Sequence, residues 1–89
     1  FRLNNLNVSF NQIEYVTDSL FSQNFELINL DLSNNSIKYI EENSFFSLKK
    51  LRRIFLHNNH PMLNLFVQNK SIFNGLVNVK HLVFPIEAN

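Results

Sequence analysis

Residues 27–37 read LINLDLSNNSI, with leucines at 27, 30 and 32 followed by Asn35 and Ile37. A half-buried strand would place apolar residues at every second position, and an amphipathic helix would return them after three and four. The stretch keeps neither period for long. A repeat longer than a single element accounts for it. Moved back 24 residues, it lies over LNNLNVSFNQI (3–13), where Leu3, Leu6, Val8, Asn11 and Ile13 match Leu27, Leu30, Leu32, Asn35 and Ile37. Moved forward 24, it lies over LRRIFLHNNHP (51–61), with matches at Leu51, Ile54, Leu56 and Asn59. The register continues downstream: Val16 answers to Ile40, Phe21 to Phe45, and Leu48 and Leu76 close the second and third units. The units run over about 3–26, 27–50 and 51–78, and a partial one opens at 79–89.

The pattern resembles the leucine-rich repeat, LxxLxLxxNxIxxIxxxxFxxLxx, in its 24-residue typical form, over essentially the whole chain. The resemblance implies an α/β solenoid: a curved parallel sheet on the concave face, with short helical or irregular convex segments. The spacing has a physical sense. The xLxLx stretch is a short strand whose leucines face inward, and the chain turns sharply after it. An asparagine at that bend can bond backbone groups left unpaired, each of which costs about 1–3 kcal/mol if buried without a partner. Stacked units then form an asparagine ladder of Asn11, Asn35 and Asn59. Phe21, Phe45 and Phe73 form a second ladder on the wider convex side, where ring pairs add about 0.5–1.5 kcal/mol beyond their burial.

The third unit departs from the pattern, being 28 residues long with Pro61 in place of the usual Ile. Its extra residues fall between Asn59 and Phe73, so they should bulge outward and leave the strands in register. Leu63, Leu65 and Phe66 are placed to supply the missing apolar side chains. In the fourth unit Glu87 stands where the asparagine belongs and Pro85 ends its strand, so the ladder stops there. No cysteine-containing cap is visible. Repeats of this kind do not cover their own terminal faces, so flanking repeats or caps of a longer array are expected.

Composition bounds the remaining classes. The 89 residues are 45% hydrophobic, with 10 Phe and 17% charged residues, which is too apolar for a disordered chain. No cysteine is present, so a disulfide scaffold, a cysteine zinc site and a thiol nucleophile are excluded within these residues. One Gly and two Pro argue against a turn-rich β-sandwich. No apolar run reaches the roughly 18 residues of a bilayer span, so membrane insertion by this segment is not expected. The chain starts at Phe1 without a signal-peptide profile, and a processed or excised piece is the expectation.

In a leucine-rich repeat horseshoe, the side chains flanking the inward pair face out of the concave sheet. For the four units these are Asn5, Asn7 and Ser9; Asn29, Asp31 and Ser33; Arg53, Phe55 and His57; and His81, Val83 and Pro85. The face runs from small and polar to basic and apolar, which makes Arg53, Phe55, His57, His81, Val83 and Asp31 the candidate ligand contacts. Phe55 beside Val83 is the candidate anchor, because aromatics ringed by polar residues are enriched at binding hot spots. Lys49, Lys50, Arg52 and Arg53, joined by Lys80 and His81, form a basic cluster suited to an acidic segment, though such runs are more often a solvated edge. Nucleic acid is disfavoured, since no aromatics interleave the charges.

Ser33 and His57 occupy equivalent positions on adjacent strands, about 4.8 Å apart, with Asp31 nearby. Asp31 lies on the serine's own strand and not beyond the imidazole, where an orienting acid belongs, so an enzyme is not expected. His57 and His81 differ by four positions along their strands, roughly 13 Å, so neither a metal site nor any cofactor is implied. Three sequons occur, at Asn7, Asn34 and Asn69, with Asn69 on the inserted loop the most accessible. The typical repeat with its Phe position resembles those of Toll-like receptor ectodomains and other extracellular leucine-rich repeat receptors. That resemblance implies a ligand-binding segment outside the cell or at its surface, with a protein ligand or co-receptor as partner. A structural or adhesion scaffold of a secreted or matrix protein is the alternative.

Overall fold

The structure is a computed structural model that describes residues 4–63, 70–76, 78, 79 and 81–83, with residues 70, 71 and 81–83 described through their backbone alone. In chain order the elements are β1 (Asn5–Asn7), β2 (Tyr15–Val16), β3 (Asn29–Asp31), β4 (Tyr39–Ile40), β5 (Arg53–Phe55), a 3-10 helix (Lys70–Phe73) and β6 (His81–Val83). Four of the strands form a parallel sheet in the order β1-β3-β5-β6. The sheet aligns the middle residues of its strands, Leu6, Leu30, Ile54 and Leu82, one beside the next. Arg53 pairs with His81, so the longer third unit re-enters the sheet in register and its four added residues are absorbed in the connection.

Alternation explains the packing. The central residues of β3 and β5, Leu30 and Ile54, are fully buried, whereas Asn29, Asp31, Arg53 and Phe55 beside them keep access to solvent. Leu27, Leu32, Ile37, Leu48, Leu51 and Leu56 complete the same core. On the convex side the rings of Phe21, Phe45 and Phe73 follow one another at centroid separations of 6.1 and 6.3 Å. Where Pro61 takes the place of Ile37, Leu63 is the residue that becomes fully buried, two positions later. Leu65 and Phe66, the other two expected replacements, lie outside the described residues.

The turn after each strand is held by asparagine. The Asn35 amide group donates to Leu32 O and Ser33 O in its own turn, at 3.0 Å each, and to Val8 O of the preceding unit at 3.1 Å. Its carbonyl accepts from the N–H groups of Asn11 and Ile13, at 3.1 and 3.2 Å. Asn59 does the same one unit on, donating to Leu56 O, His57 O and Leu32 O and accepting from Ile37 N–H at 3.0 Å. Asn35 and Asn59 are half-buried, but Asn11 is exposed. Asn11 differs from the buried column expected of the sequence because no described unit covers its outer side.

Two features of the fold went unread in the sequence. The first is a small second sheet, in which β2 and β4 pair in parallel with Tyr15 beside Tyr39 and Val16 beside Ile40. Val16 and Ile40 point into the core, while the two tyrosines stay exposed. The second is a left-handed residue just before each ladder asparagine: Phe10 at φ 58, Asn34 at φ 55 and Asn58 at φ 57. Asparagine tolerates this conformation, and Asn58 also donates to Asn34 Oδ1 at 3.1 Å. Phe10 has neither advantage and is 79% exposed.

Two substitutions test this account through urea unfolding. Asn35→Ala removes both halves of the inter-unit bridge and should lower stability by about 3 kcal/mol. Phe10→Asn should raise it by about 1 kcal/mol, by relieving the left-handed strain and giving Asn34 a side-chain acceptor.

Candidate functional site

The outward positions of the sheet form three columns running across the strands. In the first, Asn29 donates to Asn5 Oδ1, and Arg53 Nη1 donates to Asn29 Oδ1 at 2.9 Å. The guanidinium is therefore held by a neutral partner, and among the described residues it has no ion pair. Strand pairing continues this column to His81.

The second column is Asn7, Asp31, Phe55 and Val83. Asp31 Oδ1 accepts the Ser33 N–H at 2.9 Å and the Ser33 hydroxyl at 2.6 Å. Asn7 Oδ1 accepts from the N–H and hydroxyl of Ser9 at 3.0 and 2.5 Å, so the same turn closes the first unit. An acid or amide followed two residues later by serine recurs with the repeat and could have been read from the sequence as a local turn device. The third unit carries Phe55 and His57 at these positions and has no such bond; their rings meet edge to face with centroids 6.3 Å apart. Phe55 is half-buried and shows part of its ring on the concave side.

The third column corrects the expectation that Ser9, Ser33 and His57 face outward alike. Ser33 is 2% exposed, because the chain has begun its turn and the hydroxyl is folded back onto Asp31. It is neither a surface contact nor an available nucleophile. His57 is half-buried, and its Nδ1 is enclosed without a hydrogen-bond partner among the described residues. The side chains of His81 and Val83 lie outside the described residues, and their backbone alone is placed beside Arg53 and Phe55.

The basic cluster of the sequence is divided by the fold. Lys49 lies over the Phe46 ring with its Nζ 3.6 Å from the centroid, and Lys50 pairs with Glu26 at 2.9 Å. Arg53 belongs to the concave face, and Arg52 lines a shallow cleft with Ile28, Lys50 and Asn78. Consecutive residues point in different directions around a strand and turn, so only Lys50 and Arg52 share a cleft, while Lys49 and Arg53 face elsewhere. Lys80 lies outside the described residues. Of the sequon asparagines, Asn7 is exposed, and its amide nitrogen has no partner among the described residues. Asn34 is half-buried, donating to Ser33 Oγ and accepting from Asn58. Asn69 lies outside the described residues. Among the described residues no group of three or more His, Cys, Asp or Glu side chains could hold a metal ion, and no helix is long and apolar enough to cross a membrane.

A family model described as Leucine rich repeat matches residues 1–60. The chain belongs to the leucine-rich repeat family. Leucine-rich repeat domains are protein-interaction modules without catalytic activity of their own. No curated protein sequence matches this leucine-rich repeat chain. Among solved structures it is similar to a chain of the "Structure of the Toll - Spatzle complex, a molecular hub in Drosophila development and innate immunity (glycosylated form)", with a TM-score of 0.78 and 24% identity. The match covers 93% of this chain and 12% of that one, so the repeats here span a small part of the length of the Drosophila chain. The likeness shows the fold.

Asp31 was a candidate contact, and its bonds to Ser33 make it a turn residue as well. Asp31→Ala should lower stability by about 1 kcal/mol, while Asp31→Asn, which reproduces the Asn7 arrangement, should cost less than about 0.5 kcal/mol. Urea midpoints of the two variants check this.

Proposed function

We propose that these repeats form a ligand-binding segment of an extracellular or cell-surface receptor ectodomain, with a protein ligand or co-receptor contacting Arg53, Phe55 and His57. The observation that carries the reading is the change of character along the concave sheet. In the first two units Asn29 is bonded to Asn5, and Asn7 and Asp31 are bonded to the serine two residues on, whereas β5 presents a cation held by a neutral amide beside a half-covered aromatic ring. An aromatic anchor next to a guanidinium is the composition enriched in interface hot spots. On β6, the backbone of His81 and Val83 pairs in register with Arg53 and Phe55, which makes them the next contacts proposed. The structural neighbour comes from a complex of Toll with Spatzle, which agrees with a protein partner.

On this reading the sequons are glycan acceptors of the secretory pathway, and the exposure of Asn7 suits it better to that role than the half-buried Asn34. A glycan at Asn7 would shield the polar end of the sheet and leave β5 open. The alternative, a scaffold in which these repeats only set curvature, is favoured by the internally bonded Asn5, Asn29 and Asp31.

The test begins by screening the parent ectodomain against secreted and cell-surface proteins and measuring the affinity of each hit. Phe55→Ala and Arg53→Glu should each weaken binding at least about tenfold, the loss typical of a hot-spot residue. Unchanged affinity in both variants, with unfolding midpoints retained, would assign recognition to another part of the parent and leave this segment as scaffold.

A further inference from the structure

We infer that Asn74 is a site of spontaneous covalent modification: the backbone nitrogen of Gly75 closes on the Asn74 side chain, and the amide is converted to an aspartyl or isoaspartyl carboxylate.

The dipeptide is the first ground. Asn74 is the one asparagine of the chain followed by glycine, whose missing side chain leaves its own N–H open to approach. Local geometry is the second. Asn74 is exposed in a turn closed by the Leu76 N–H on Phe73 O at 3.2 Å, and Gly75 takes the left-handed φ of 91. The Gly75 N–H has no acceptor among the described residues. The next smallest residues to follow an asparagine, Ser36 after Asn35 and Ser44 after Asn43, donate their N–H groups to Ile13 O and Glu41 O at 3.0 and 3.1 Å. A nitrogen held in that way cannot turn onto the preceding side chain.

Charge is the third ground. Lys49 Nζ, which lies over the Phe46 ring, is 3.0 Å from the place a Cβ on Gly75 would take. A cation there favours the anionic nitrogen that forms as the Gly75 proton leaves.

The conversion balances with water alone. Hydroxide takes the Gly75 N–H proton, the nitrogen bonds to Asn74 Cγ, and the Cγ–Nδ2 bond breaks as ammonia departs with a proton from water. The cyclic imide then adds one water. Opening at Cγ gives aspartate, and opening at the backbone carbonyl gives isoaspartate, with the main chain rerouted through the side chain.

The product alters a contact between units. Asn74 Nδ2 donates to Asn43 Oδ1 at 3.0 Å, tying the third unit to the second beside the phenylalanine column. A carboxylate has no N–H to give and would face another acceptor, so the tie is lost. Isoaspartate also adds a main-chain carbon next to Gly75, where even a Cβ would come within 2.6 Å of Phe46 O.

The test incubates the full chain in heavy-oxygen water at mildly alkaline pH and maps its peptides by mass spectrometry with electron-based fragmentation, which separates the two isomers. Asn74 should convert first, carrying one heavy oxygen and giving both products, while Asn35 and Asn43 remain amides. Lys49→Gln should slow the conversion about fivefold, the effect of one unit charge at roughly 4 Å in water. The converted chain and Asn74→Asp should both unfold at lower urea than the fresh chain. Asn74 persisting as an amide after an unstructured peptide of residues 72–78 has converted would overturn the inference. So would an unchanged rate in Lys49→Gln with its unfolding midpoint retained.

Discussion

A single primary amide, placed where the chain leaves each strand, holds one unit to the next. The Asn35 NH2 group satisfies carbonyls on both sides of the unit boundary while its oxygen receives two N–H groups from the turn before. No apolar side chain of that size could do this, because the bend exposes backbone donors and acceptors that neither strand can use. Removing the amide would leave several of them unpaired in a half-buried site, the costliest arrangement for a polar group. The leucine core and the phenyl stack supply most of the burial, but they tolerate sliding. The amide bridge has one geometry and sets the register.

That constraint explains where the ladder stops. Ile13 and Ile37 each donate a backbone N–H to the asparagine of the following unit. Pro61 occupies the next such position and has no N–H to give, and the sequence of the following unit carries Glu87 there in place of asparagine. The proline has lost the backbone donor, and a glutamate has no amide NH2 to donate to the turn carbonyls. The sheet nevertheless runs on through β6, since strand pairing is a separate set of bonds.

A sheet fixed in this way is a rigid support for whatever it displays. The left-handed residues, the Asp31–Ser33 turn and the Arg53–Asn29 bond all restrict side chains before any partner arrives. Restriction of this kind reduces the ordering entropy of binding. It also separates the first two units, whose surface amides and acid are taken up by neighbouring amides and serines, from the third, whose Phe55 and Arg53 have contact area and charge to spare.

The sequence alone determined the period, the parallel sheet, the identity of the inward leucines, the roles of Asn35 and Asn59, the phenylalanine column and the return of the longer third unit to the sheet in register. Each follows from residue type recurring at a fixed spacing, because stacking copies of one unit turns a spacing into a contact. Tertiary structure decided what depends on local direction. Whether Ser33 faces outward or folds back onto Asp31, whether Lys49 joins Arg52 or lies on Phe46, and whether Tyr15 and Tyr39 belong to a second sheet are settled by a few degrees of turn after each strand. Repeat spacing does not encode that turn, and the exposure of Asn11, which depends on the absence of a covering neighbour, is no more visible in the residues themselves.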